Sequence, residues 1–76
     1  MDPILIKRYI EENLECDYVE VNGDGRHFEA VIVSPLFRGK PKVRQHQLVY
    51  AALGDRMRED IHALSMKTLT PEEWQH

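Results

Sequence analysis

Four histidines, one cysteine and one dense basic run are the side chains of this 76-residue chain with chemistry to offer beyond packing. His27, His46, His62 and His76, with Cys16, are its only borderline or soft metal donors. A single cysteine excludes an internal disulfide and any thiolate-rich zinc or iron–sulfur cage made by this chain alone. A bound metal must therefore use imidazole and donors from elsewhere. The basic run is RGKPKVR, in which Arg38, Lys40, Lys42 and Arg44 fall within seven residues without an acid. Such a segment can meet phosphates, dock an acidic partner surface or simply stay solvated. Cys16 is remote from every histidine in sequence, and Ser34 and Ser65 have structural explanations. No nucleophile, base and acid come together, so catalysis is not expected.

The glycines of NGDG, residues 22–25, lie between two strand-like runs, whereas a dinucleotide signature needs them between a strand and a helix. A hairpin turn is the better account, since Asn-Gly and Asp-Gly supply the positive φ that tight hairpins use. Asp2-Pro3 starts a first helix running to about residue 15, with Ile6, Tyr9, Ile10 and Leu14 on one face. Ser34-Pro35 opens a short helical turn that Gly39 can end. From Pro41 a longer helix is expected to bury Val43, Val49, Tyr50, Leu53 and Met57 in one stripe, with His46 packed in its middle. DIHALSMKT alternates as a third strand, and TPEEW has the capping-box spacing of a final helical turn.

The order α-β-β-α-α-β-α describes a single α+β domain over residues 1–76. Two helices between the second and third strands allow a right-handed crossover, which makes those strands parallel neighbours. A three-stranded mixed sheet with helices on one side follows. Parallel strands begin at the same end of a sheet, so His27 and His62, each at a strand start, are expected near one another. Strict alternation conflicts with that pairing: it sets His27 with Glu29 and His62 with Leu64 and Met66, on opposite faces, unless His27 belongs to the loop.

With 42% hydrophobic and 30% charged residues the composition is that of an ordinary folded domain. Its core must be small, because a chain this short buries only about 60% of its unfolded surface. No apolar run approaches a bilayer span, and the N-terminus is charged where a signal peptide would be apolar. A cytoplasmic protein without membrane contact is expected. Residues 1–37 carry a net −5 and residues 38–76 a net +2, so the acidic whole bears a basic patch.

FEAVIVSPLFRGKPKVRQHQLVYAAL followed by IHALSMKTLTPEEW resembles the BolA family, its short bacterial members most closely. The S-x-x-F-x-G-K run, the H-x-L-V-Y helix, the I-H-A-L strand and the T-P-E-E-W ending occur in the right order and at the right distances, and the match spans Val19 to Trp74. The resemblance implies a fold like the type II KH domain. It also implies a non-enzymatic adaptor that shares a bridging [2Fe–2S] cluster with a monothiol glutaredoxin and its glutathione, in iron–sulfur trafficking or iron sensing. Alone, such a chain would be a monomer or a weak homodimer. By that resemblance His62 is a cluster ligand, and His27 is the candidate for the second ligand from the loop before the second strand. Two imidazoles leave a two-iron cluster half-ligated and make its ligation proton-sensitive, so a partner must finish the site. The alternative role is a nucleic-acid-binding regulator in the stress response, with Arg38, Lys40, Lys42 and Arg44 where KH domains carry a GXXG loop. Here Gly39-Lys40-Pro41-Lys42 lacks the second glycine, and contact would pass through side chains.

Overall fold

The computed structural model describes residues 1–75, and His76 lies outside them. Helix α1 (Pro3–Asn13) is followed by strands β1 (Tyr18–Gly23) and β2 (Phe28–Val33), a single 3-10 turn (Pro35–Phe37) and helix α2 (Lys42–Leu53). A second 3-10 turn (Ile61–Ala63), strand β3 (Leu64–Leu69) and the short helix α3 (Pro71–Trp74) complete the chain. The sheet order is β1-β2-β3, with β1 and β2 antiparallel and β2 and β3 parallel. The mixed sheet expected from the crossover is thus formed.

Alternation does the sorting. Val19, Val21, Phe28, Ala30, Ile32, Leu64 and Thr68 are buried on the sheet face packed against α1 and α2, while Tyr18, Glu20, Asn22, Glu29, Ser65 and Lys67 look outward. Ile6, Ile10 and Leu14 of the first helical segment fill that core as their spacing required. Asp2 caps α1 by accepting from the Ile4 N–H, and Pro3 occupies the first turn. The helix ends at Asn13, two residues earlier than expected, with Leu14 already extended as its C-cap.

Helix α2 is turned relative to the expected stripe. It buries Gln45, Val49, Ala52 and Leu53, whereas Val43 is 63% and Tyr50 41% exposed. His46 is half-buried beside that face rather than at its centre. Met57 does reach the core, but from the segment beyond Gly54, whose φ of 59° ends the helix. The stripe failed because a buried glutamine, polar by any hydropathy scale, holds the place that apolar periodicity assigned elsewhere. Leu36 and Phe37 behave as their context predicts: Phe37 is fully buried, and Gly39 takes a φ of 74° just past the 3-10 turn.

Candidate functional site

At one end of the sheet β1 hands over to β2 through residues 24–27, not through residues 22–25. Asn22 and Gly23 are still paired with Glu29 and Phe28, and the positive φ falls at Gly25. The loop is closed by Asp24, whose carboxylate accepts from the N–H groups of Arg26 at 2.8 Å and His27 at 2.9 Å. Those two bonds hold the Asp24 carboxyl below the usual carboxylate range. Gly23 is needed for space and not for φ: a Cβ there would stand 2.6 Å from both the His27 carbonyl oxygen and a Phe28 ring carbon. Asp24 and Gly23 together fix the backbone of His27 while leaving its residue exposed.

His62 reaches the same end by a different route. Residues 61–63 form a 3-10 turn and β3 begins only at Leu64, so the third strand is shorter than the alternation of DIHALSMKT implied. Phe28 pairs with Leu64 in parallel register, which sets His27 one residue and His62 two residues before adjoining strand starts. Neighbouring strands run about 4.8 Å apart. Neither histidine belongs to a strand, so the alternation that would set them on opposite faces does not govern them. His62, like His27, is exposed. Among the described residues, no three His, Cys, Asp or Glu side chains assemble into a group that could hold a metal ion.

Cys16 cannot supply a further donor at this end. It lies where β1 begins, at the opposite end of the sheet, half-buried against the core. Burial first, and then the nearby carboxylates of Glu11, Asp17 and Glu15, push its thiol up to about 11, which keeps it protonated and inert at neutral pH.

The basic segment occupies that opposite end, where β2 and β3 finish. It is bound down more tightly than its sequence implies. Buried Gln45 donates to the carbonyls of Phe37 at 3.2 Å and Lys40 at 2.8 Å, and accepts the buried Thr68 hydroxyl at 2.6 Å, stitching the 37–42 backbone to β3. Lys42 donates through Nζ to the Thr68 carbonyl oxygen, and Lys40 to that of Leu36 at 2.8 Å. Arg38 grips Glu72 of α3 with both arms of its guanidinium, Nε to Oε1 at 2.8 Å and a terminal nitrogen to Oε2 at 2.6 Å. Glu72 is thereby held below its ordinary range. Arg44 is exposed. Helix α2 has Pro41 as its N-cap and no side-chain cap bond, so no side chain caps its N-terminal turn beside these cations. Periodicity could not have found Gln45; the one available signal was a glutamine near the start of a helix behind a glycine-proline loop.

A family model described as BolA-like protein matches residues 10–73. The chain belongs to the BolA-like family. It is 39% identical over 70 residues to the Acid stress protein IbaG of Escherichia coli K12, covering 91% of this chain and 83% of that protein. It is 34% identical to the DNA-binding transcriptional regulator BolA of the same strain, covering 95% of this chain and 82% of that one. Among solved structures, the BolA homologue from Coxiella burnetii superposes with a TM-score of 0.88 at 47% identity, covering 100% of this chain and 99% of that one. These names are those of a stress protein and a regulator, not of enzymes. The α+β architecture is therefore a BolA fold, and among the described residues no helix is long and apolar enough to cross a membrane.

Proposed function

We propose that this BolA-like chain is a non-enzymatic cytoplasmic adaptor that binds a monothiol glutaredoxin and, with that partner and its glutathione, co-ligates a [2Fe–2S] cluster. The observation that carries the reading is the pair of exposed histidines at adjoining strand starts, an imidazole set too small to hold a metal by itself. Two neutral nitrogens fit one half of the four-ligand requirement of such a cluster, and thiolates from a second chain fit the other half. When bound, the cluster supplies one-electron redox chemistry or serves as cargo. His62 would offer a nitrogen from the 3-10 turn and His27 another from the loop anchored by Asp24, while the inert Cys16 takes no part. Ligation needs neutral imidazole, so retention should weaken on acidification.

Mixing the protein with cluster-loaded monothiol glutaredoxin should change the visible absorption and circular dichroism spectra, and His62→Ala should abolish the change. Spectra that stay the same on mixing, or a shift that survives in His62→Ala, would remove the proposal.

A second reading is favoured by the uncapped start of α2 among Lys40, Lys42 and Arg44 and by relatives named as DNA-binding regulators. In it, this surface contacts nucleic-acid phosphates at the position where KH domains place their backbone clamp. Affinity for an oligonucleotide should fall steeply with salt. Unaltered binding by the Lys40→Glu/Lys42→Glu double variant would end this reading. The two surfaces stand at opposite ends of six-residue strands, about 17–20 Å apart, so both roles are sterically compatible.

A further inference from the structure

In sequence the basic run has no acid; in the fold, α3 brings two. Glu72 fills the guanidinium fork of Arg38, the geometry with which arginine otherwise grips two phosphate oxygens. Glu73, the partner in the Thr70 capping box, lies close enough to Lys42 to feel its charge. The helix carrying these carboxylates is four residues long and is clasped at its far end by Trp74, whose ring stacks on Tyr18 with centroids 4.7 Å apart. Its attachments are exposed: over half of the Arg38 and Glu72 side-chain surfaces remain open to solvent, and Tyr18 and Trp74 are 37% and 43% exposed. An exposed ion pair and one exposed stack are weak fastenings.

We propose that α3 is an acidic strap that masks Arg38, so that an incoming phosphate backbone must displace Glu72 before Arg38 joins Lys40, Lys42 and Arg44. The inference rests on the nucleic-acid reading of this surface and adds its regulation. The strap carries its own reporter, since Trp74 is the only tryptophan in the chain and leaves Tyr18 when α3 lifts.

The test uses the full chain and a fluorescein-labelled single-stranded DNA oligonucleotide, followed by anisotropy and by Trp74 emission. Glu72→Gln should bind about three- to fivefold tighter than wild type at low salt, a gain of the size that one exposed ion pair can withhold. Its plot of log affinity against log salt should keep nearly the wild-type slope, because Arg38 meets a phosphate in both complexes once Glu72 is displaced. Arg38→Gln/Glu72→Gln should bind no tighter than wild type, and saturating oligonucleotide should shift Trp74 emission in the wild type. Equal affinities of Glu72→Gln and wild type, a gain that persists without Arg38, or emission that never moves would overturn the strap. Where Lys40→Glu/Lys42→Glu still abolishes binding in that event, the nucleic-acid reading stands without it. Binding that ignores Lys40 and Lys42 overturns both.

Discussion

Where β2 and β3 finish, buried Gln45, Ser34 and Thr68 bind loop, helix and sheet into one hydrogen-bonded unit, and Arg38 adds an ion pair to α3. Ser34 alone donates its hydroxyl to the Glu15 carbonyl at 2.6 Å, accepts from the Leu36 N–H and sends its own N–H to Leu69. Where the same strands start, a four-residue loop and a 3-10 turn present two exposed imidazoles, and among the described residues the only side-chain hydrogen bonds there are the two that the Asp24 carboxylate accepts. One end spends its polar groups on internal bonds. The other leaves its most capable donors facing outward. Polar groups satisfied inside a fold contribute to stability and specificity of structure, whereas exposed ones are free to meet a partner.

Gln45→Leu should break that contrast most severely. It leaves the buried Thr68 hydroxyl and the part-buried Lys40 carbonyl without this partner and strips the Phe37 carbonyl of one of its two donors, the Lys40 N–H remaining, and a loss of about 2–4 kcal/mol is expected in urea denaturation. Next comes Gly23→Ala at the histidine end. A methyl group 2.6 Å from the His27 carbonyl and the Phe28 ring must push both aside, for a cost of about 1–3 kcal/mol together with a displaced His27 amide resonance. His27→Ala and His62→Ala should then each change stability by no more than about 0.5 kcal/mol, because both residues are exposed. A large thermal shift in either variant would show that the imidazoles are structural and that the contrast between the two ends is wrong.

The smallest expected effect is on acid stability. Asp24 at one end and Glu72 and Glu73 at the other all have carboxyls held below their ordinary range, by backbone N–H groups for Asp24 and Glu73 and by Arg38 for Glu72. A depressed folded-state pKa contributes stability that is present above the unfolded value and is lost as pH falls through the folded one. The loss should therefore begin below about pH 4, the ordinary carboxylate range. Asp24→Asn and Glu72→Gln should each flatten part of that decline in denaturation series run down to about pH 2.5, and the two should add, since they lie at opposite ends of the sheet.

Much of the architecture was legible from local chemistry. Asp2-Pro3, Ser34-Pro35 and Thr70-Pro71 with Glu73 announce three helical starts, and each forms with the expected cap. Two helices between β2 and β3 implied a crossover connection and so a parallel pair, which the fold has and which sets His27 and His62 at one end of the sheet. Two readings went astray for related reasons. Alternation continued the third strand back through His62 because Ile61, Ala63 and Ser65 fit it, yet the chain must first turn to enter the sheet. Apolar periodicity set α2 on Val43 and Tyr50 because it gave Gln45 no weight.

The amino-acid order by itself determined the elements, their caps, the parallel pairing and the poverty of thiols that leaves imidazole as the main borderline-metal donor. These depend on residues a few positions apart, or on rules of chain connection that hold in any fold. The tertiary structure alone decided which cations are free and which are engaged, because Glu72 meets Arg38 across 34 residues and Thr68 meets Gln45 across 23. It also decided that both histidines escape the alternation of the strands they precede. Neighbourhood in space is set by packing, and packing has no signature in any short window of sequence.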